Sequence, residues 1–279
     1  MSISFMKSGM IIFFFLLIFL YSCSPNNVTE DSSLKKYFDD NHVTGTFGMF
    51  DNGHGHFIIY NLSRFKDSVY LPASTFKIVN SLIGLETGKI SSEKMVIKWD
   101  GIVRSIPEWN KDLTMEEAFK VSAVPYYQEV ARRIGKDTLQ RWLDTLGYAA
   151  KNGRAVITTR IDTFWLDNSF KTTSDEQLGL VKKLYFDQLP FRKNTNQDIV
   201  KKIMLQEENA NYKLSYKTGW GFRENGNGIG WIIGWIEENK HPYFFVLNVE
   251  GPHDTDMPAV RMNILKAILR QSGFFEGRK

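Results

Sequence analysis

Cysteine is nearly absent from this chain, because Cys23 is the only one among 279 residues. A single cysteine cannot form an internal disulfide, so no such bridge supports the fold. Long runs of like charge are also missing. The net charge is +4, and the basic residues are scattered as short pairs such as Arg132 and Arg133. A nucleic-acid partner usually requires a concentrated basic patch, so we expect no nucleic-acid function.

Apolar residues are plentiful: 43% of the chain is hydrophobic and 14% is aromatic, enough for one large globular domain or two interlocked ones. The apolar run "IIFFFLLIFLY" lies in the leader and is too short to span a bilayer comfortably. We predict that residues 1–22 are an export signal peptide and that residues 23–279 form a single domain. The four residues ending at Cys23 resemble the lipobox of a bacterial lipoprotein, which implies a lipid anchor at Cys23 in the periplasm. An ordinary secretory signal is the alternative.

Alternating apolar residues predict strands at both ends of the exported chain. Residues 43–62 contain two such runs around an Asp-Asn-Gly turn, which is typical of a hairpin. Residues 230–250 predict a second hairpin that turns between Asn239 and Pro242, and "YKLSYKTG" predicts a strand before it. The polar segment at residues 24–33 is predicted to be a tether. Five strands divided between the two ends indicate an antiparallel sheet assembled from both termini.

Helical periodicity dominates the segment between these strands. Apolar residues recur at helical spacing after Ser74, and Pro125 can open another helix. Further helices are predicted before the second group of strands and at the C-terminus. The chain is therefore predicted to be α+β, with a helical part of about residues 76–207 inserted in a sheet body of about 40–75 plus 208–279.

The pattern Ser-x-x-Lys can make a serine nucleophilic, but it occurs six times, so the spacing alone decides nothing. Ser74 differs because a buried helix is predicted to begin there, with the positive end of its dipole at Ser74 and with Lys77 one turn later. An N-cap serine beside a solvated lysine would fit the same local pattern. If Lys77 is buried, its pKa, ordinarily about 10.4, can fall by up to about 3–5. The neutral amine could then take the proton of Ser74.

Two further motifs accompany Ser74. Ser-Ala-Val at residues 122–124 falls in a break between two helices, and Lys-Thr-Gly at residues 217–219 ends a predicted strand, where glycine would let a ligand approach closely. Each alone is consistent with a loop serine or a charged strand end. Together, in this order, the three motifs resemble the penicillin-recognising serine enzymes. The Ser-Ala-Val form, with "PASTFKIVNSLIGLETG" and "FWLDNSFKTTSDEQ", resembles the class D β-lactamases over residues 43–269.

This resemblance implies a fold, an activity and a catalytic pair. The fold would be the α+β fold of the penicillin-recognising serine enzymes, with an antiparallel sheet of five to seven strands, flanking helices and a helical subdomain. The activity would be hydrolysis of the β-lactam amide of penicillin-type antibiotics through an acyl-enzyme on Ser74, giving antibiotic resistance. Lys77 would be the general base, carboxylated by CO₂ or bicarbonate as the sole cofactor, in a pocket lined by Val124 and Trp165.

The resemblance also implies how substrate is bound. The backbone N–H groups of Ser74 and Trp220 would hold the oxyanion, and Ser122 would bind the substrate and pass a proton to the leaving nitrogen. The substrate carboxylate would be bound by Lys217, Thr218 and Arg261. A guanidinium suits this role because it makes two parallel hydrogen bonds to a carboxylate.

One stretch departs from the family pattern: the chain has Tyr-Ala-Ala at residues 148–150 where the family usually has Tyr-Gly-Asn. Ala149 lacks the backbone freedom of glycine, so the loop path of the family and its contacts are not carried over to this position.

Other functions remain as alternatives to the enzyme. A β-lactam-sensing module would share these motifs but stay acylated, and a cell-wall DD-peptidase would act on peptide. A zinc hydrolase would need a third organised ligand beside His54 and His56, so we expect no metal. The expected partner is a small-molecule β-lactam, with membrane contact only through the anchor at Cys23.

Overall fold

The computed structural model describes residues 27–279, in which a seven-stranded sheet lies between two groups of helices. The strands are β1 Val28–Glu30, β2 Thr44–Asp51, β3 His56–Tyr60, β4 Val96–Ile97, β5 Leu113–Thr114, β6 Leu205–Glu208, β7 Tyr212–Phe222, β8 Gly228–Glu238 and β9 His241–Gly251. Across the sheet the order is β1-β3-β2-β9-β8-β7-β6, whereas β4 and β5 pair with each other. Neighbouring strands are antiparallel, except that β1 runs parallel to β3. Both ends of the chain therefore build one sheet, as predicted.

Helices cover both faces of this sheet. They are α1 Lys35–Asp39, α2 Leu62–Asp67, α3 Lys77–Glu86, α4 Met115–Lys120, α5 Val124–Ile134, α6 Lys136–Leu146, α7 Ser174–Tyr185, α8 Asn196–Met204 and α9 Met257–Gln271. Helix α9 packs on one face, over a core that includes Phe47 and Leu265. Helix α7 and the helical insertion cover the other face, over a core that includes Leu82 and Phe244. The fold is that expected from the sequence.

Two segments of polar composition form regular structure within the described residues, and one of them belongs to the predicted tether. The predicted tether forms β1 and then a 3₁₀ turn, because the Asp31 side chain accepts the Ser33 N–H and Leu34 is buried in the core. The polar connection that holds one of the Ser-x-x-Lys copies forms α2. Its Phe65 is buried, and the Asn61 side chain caps its first turn. In both segments a single buried apolar side chain and one cap outweigh the polar composition.

The second hairpin turns at Asn239 and Lys240, which both have positive φ, as a tight hairpin turn requires. Pro242 lies inside β9 rather than in the turn. Helix α5 has Pro125 in its first turn, as predicted, and α6 follows it directly without having been predicted.

Between residues 27 and 279, no helix combines the length and the apolar character needed to cross a membrane. The predicted signal peptide and Cys23 lie outside the described residues.

Candidate active site

Ser74 lies in a 3₁₀ turn, Ala73–Phe76, that leads directly into α3. Lys77 is the first residue of α3 and is only 1% exposed. Its Nζ donates a hydrogen bond to Ser74 Oγ at 2.6 Å. The four other Ser-x-x-Lys copies within the described residues have exposed serines and lysines. Burial therefore separates the Ser74 copy from the others, as the sequence predicted.

Burial also sets the charge of Lys77. It lowers the pKa of the Lys77 amine from 10.5 to about 7. The amine lies over the Tyr127 ring, 5.6 Å from its centroid, and makes no salt bridge within the described residues. A large fraction of Lys77 is consequently neutral near pH 7 and can accept a proton from the hydroxyl that it contacts.

Trp165 packs against the same turn. Its ring is stacked on Phe76 with centroids 5.4 Å apart, and its carbonyl accepts the Ala73 N–H at 3.0 Å. The indole Nε1 is buried and has no hydrogen-bond partner in the described part of the chain. A buried N–H without a partner is unfavourable, so this donor suits an added acceptor. Val124 begins α5 and is half-buried.

Ser122 and Lys217 meet although they are far apart in sequence. Lys217 Nζ lies 2.9 Å from Ser122 Oγ, and it also donates to the Thr218 carbonyl at 3.1 Å. Burial lowers the pKa of Lys217 well below its usual range, and the nearby charges of Lys77 and Arg261 lower it further. Ser122 has a φ of 56°, in the left-handed region that non-glycine residues rarely adopt. Such strained residues are concentrated at functional sites.

Arg261 reaches the same region from α9, on the opposite side of the sheet. It is 9% exposed, and its guanidinium donates to the Gly219 carbonyl. Burial lowers its pKa to about 10. Gly230 lets α9 pack closely on β8, because a Cβ there would collide with the Met257 side chain. No salt bridge within residues 27–279 involves Arg261.

Three buried basic side chains, Lys77, Lys217 and Arg261, thus lie near one another, and within residues 27–279 no carboxylate is bound to any of them. Arg261 is charged at neutral pH, and a nearby anion would favour the protonated form of Lys217, so this arrangement favours an anionic ligand.

Gly219 has a role that the sequence did not predict. A Cβ at this position would lie 3.0 Å from the Pro72 carbonyl oxygen and 3.2 Å from Thr75 Cγ2. Glycine here lets β7 pack closely on the turn that carries Ser74. Thr218 is half-buried beside it, and Trp220, at the next position along β7, is 44% exposed.

The loop with the unusual Tyr-Ala-Ala sequence contains a left-handed residue, because Ala149 has a φ of 58°. Alanine rarely adopts such a φ, so the backbone is strained at this position.

Two histidines share a partner, because His54 and His241 both contact Asp51 at a hairpin end. His56 contacts Thr29, and His253 stacks on Phe222. Among residues 27–279, no group of three or more histidine, cysteine, aspartate or glutamate residues is arranged to hold a metal ion.

Gln177 contacts the turn that carries Ser74, and the sequence did not predict this contact. Its side chain is fully buried and donates to Thr75 Oγ1 at 2.8 Å. The one available signal is a glutamine on the apolar face of α7.

Comparison with known proteins agrees with this geometry. The penicillin-binding protein transpeptidase domain family matches residues 30–270. The chain is 34% identical to beta-lactamase OXA-5 of Pseudomonas aeruginosa, over 95% of this chain and 97% of that protein. A class D β-lactamase structure from Sebaldella termitidis superposes with a TM-score of 0.83 at 32% identity, covering 90% of this chain and 100% of that one. The C-terminal domain of the BlaR penicillin-receptor of Bacillus licheniformis superposes with a TM-score of 0.82 at 29% identity, covering 90% of this chain and 98% of that one.

Proposed function

We propose that this chain, which belongs to the class D β-lactamases of the penicillin-binding protein transpeptidase-domain family, hydrolyses β-lactam antibiotics. The reaction would pass through an acyl-enzyme on Ser74. Antibiotic resistance would follow from that hydrolysis. The observation that carries the proposal is the buried contact of 2.6 Å between Ser74 Oγ and Lys77 Nζ, with the pKa of Lys77 lowered to about 7. A serine attacks a carbonyl only when a base takes its proton, and this lysine is a base at physiological pH.

The acylation step uses residues already in contact. Ser74 Oγ attacks the β-lactam carbonyl carbon while the Lys77 side chain takes its proton. The amide C–N bond then breaks, and the ring nitrogen takes a proton from Ser122. Ser122 would take a proton back from Lys217 Nζ, which donates to its hydroxyl, and the proton that Lys77 removed from Ser74 would restore Lys217. The backbone N–H groups of Ser74 and Trp220 would stabilise the oxyanion, and one such donor is typically worth about 2.7–4 kcal/mol.

The cations account for substrate orientation. The carboxylate of a β-lactam would bind to Lys217, Thr218 and Arg261. These cations are buried and lack carboxylate partners in the described structure, so the ligand would supply the missing negative charge. Because Arg261 is already held by the Gly219 carbonyl, its guanidinium is oriented before the substrate arrives.

The surroundings of Lys77 fit carboxylation by CO₂. A carbamate forms from a neutral amine, and burial supplies one by lowering the pKa of Lys77 to about 7. The Trp165 N–H, which has no partner in the described part of the chain, offers a donor to the new carboxylate, and Val124 would limit hydration. When bound, the group supplies a carboxylate base that can serve both acylation and deacylation. Trp165 would hold this base, and the apolar wall would restrict its contact with water.

We also propose export and anchoring. Residues 1–22 would direct the chain to the periplasm, and Cys23 would carry a lipid. The support is the leader sequence, with its apolar run and the cysteine that ends it.

Mapping of the acyl adduct tests the proposed function. Mass spectrometry after mixing with a slowly hydrolysed β-lactam should place the adduct on the peptide that contains Ser74. The Ser91→Ala variant is the control, since it removes another Ser-x-x-Lys serine that is exposed, and it should be labelled normally. Labelling of a different serine, or continued labelling of Ser74→Ala, would contradict the mechanism.

A receptor module is the second candidate. The similarity to the BlaR receptor domain favours it, since that structure superposes about as well as an enzyme does. A receptor and an enzyme both become acylated, so labelling does not separate them. Turnover does, because only the enzyme needs a base that remains effective after acylation.

A further inference from the structure

We propose that Gln177, on α7, is a positioning residue for the nucleophile. It acts through Thr75, which neighbours Ser74, and holds the turn on which Ser74 lies. The inference rests on the proposed function in one respect: it takes Ser74 to be the acylated residue.

Two hydrogen bonds in series connect Gln177 to the turn. Gln177 Nε2 donates to Thr75 Oγ1 at 2.8 Å, and Thr75 Oγ1 donates to the Pro72 carbonyl at 2.7 Å. The Thr75 N–H also donates to that carbonyl, at 3.2 Å. Gln177 and Thr75 are both fully buried, so no water competes with these bonds. These hydrogen bonds therefore connect α7 to Pro72 and Thr75, the residues on either side of Ala73 and Ser74.

The turn needs such a clamp because its backbone is strained. Ala73 has a φ of 48°, in a region that alanine rarely adopts. A conformation of this kind persists only where the surroundings hold it. The Trp165 carbonyl holds the Ala73 N–H, and Trp231 Nε1 donates to the Leu71 carbonyl at 2.9 Å. Gln177 adds the contact that fixes the other end of the turn.

Thr75 cannot easily change its orientation to compensate for a lost partner. Its methyl group faces Gly219, where even a Cβ would lie within 3.2 Å. With β7 on one side and Gln177 on the other, its hydroxyl has one direction available. Loss of the Gln177 donor would consequently loosen Thr75, then Pro72, and so shift Ser74 relative to Lys77.

The cost of having a glutamine here supports a functional role. Gln177 Oε1 and the Tyr148 hydroxyl are both buried and lack a hydrogen bond of good geometry within the described residues, although the two side chains interact. Tyr148 lies beside Gln177 and Thr75, and burial raises its pKa. A methionine at position 177 would fill similar space without a buried unpaired oxygen. A locally unfavourable residue is expected where it serves the site.

The test measures acylation by stopped-flow with a slowly hydrolysed β-lactam, and compares Gln177→Met with Gln197→Met. Gln197 is the matched control, because it is equally buried and its side chain donates only to the Leu189 and Phe191 carbonyls within the described residues. Its Oε1 also has no hydrogen-bond partner there. We expect acylation by Gln177→Met to be on the order of ten- to a hundredfold slower, since small misplacements of reacting groups have effects of this size. The midpoint of its pH profile should not move, because the Lys77 base is unchanged. Gln197→Met should acylate at the wild-type rate even if its melting temperature falls.

Thr75→Val tests the same connection from its other end and serves if Gln177→Met does not fold. If Gln177 acts through Thr75, the double variant should acylate no more slowly than Thr75→Val alone. Fully additive losses, or a wild-type rate in Gln177→Met, would overturn the positioning role while leaving the proposed function intact. A wild-type protein that is never acylated would overturn the proposed function, and this inference with it.

Discussion

Replacing Lys77 by methionine should abolish activity and yet stabilise the protein. The folded protein buries an amine whose pKa falls from 10.5 to about 7. At pH 7 the unfolded chain keeps this amine charged and the folded one only partly does, so linkage gives a cost of about 4 kcal/mol. The variant also loses the hydrogen bond to Ser74, worth about 1 kcal/mol. The free energy of unfolding of Lys77→Met should therefore exceed that of the wild type by about 3 kcal/mol at pH 7.

The gain should depend on pH with a definite sign. Between about pH 7 and pH 10.5 the unfolded wild-type chain binds more protons than the folded one, so wild-type stability rises with pH across that window. Methionine does not titrate. At about pH 9 the cost of burying Lys77 falls to about 2 kcal/mol, so the advantage of Lys77→Met shrinks to about 1 kcal/mol.

Thermal and urea unfolding in CO₂-free buffer would measure both values. For a chain of this size, about 3 kcal/mol corresponds to a rise of roughly 6–12 °C in melting temperature. Lys120→Met, at an exposed position, is the control and should change stability by less than about 0.5 kcal/mol. A Lys77→Met protein less stable than wild type, or an advantage equal at both pH values, would refute a neutral buried amine.

Three further predictions concern the same site. Arg261→Ala should raise KM for an anionic penicillin about tenfold or more, because a charge-assisted hydrogen bond is worth about 1.5–3 kcal/mol. Arg270→Ala removes an exposed arginine of the same helix and should leave KM unchanged. Equal KM values for the two variants would refute the assignment of Arg261. Activity should fall as pH drops through about 7 and recover with added bicarbonate, since Lys77 protonates there. With ¹³C-labelled bicarbonate, the wild type should show a carbamate NMR signal that Lys77→Met lacks. Rates that do not depend on bicarbonate would argue for a bare amine. Trp165→Phe removes only the indole N–H and should slow deacylation about tenfold with little effect on acylation; unchanged deacylation would contradict its role.

The sequence predicted those features that local patterns determine. Hairpins follow from alternating apolar residues and their turns, and the helix after Ser74 follows from its apolar spacing. The buried Ser-x-x-Lys copy could be predicted, because a buried helix is expected to begin at Ser74 and not at the other copies. The ordered segments around Leu34 and Phe65 escaped prediction, because one buried side chain gives no periodic signal.

Contacts between distant parts of the chain could not be predicted. Gln177 meets Thr75 from 102 residues away, and a buried glutamine on an amphipathic helix has no sequence signature. The sequence suggested that Gly219 lets a ligand approach the backbone. In the structure a glycine is needed at this position because Pro72 and Thr75 pack against it, and only the folded chain brings those residues together. The left-handed φ of Ala149 runs against the preference of alanine, so it could not be predicted from the sequence.

Turnover per active site tests the central claim most directly, since a receptor and an enzyme are both acylated and differ in whether the acyl group is then hydrolysed. The mature protein would be mixed with a chromogenic β-lactam in bicarbonate buffer near neutral pH, with Ser74→Ala as the blank. We predict hydrolysis that continues far beyond one equivalent per Ser74, because a base at Lys77 remains available after acylation. A burst of one equivalent followed by a stable acyl-protein would contradict the β-lactamase and identify a receptor module.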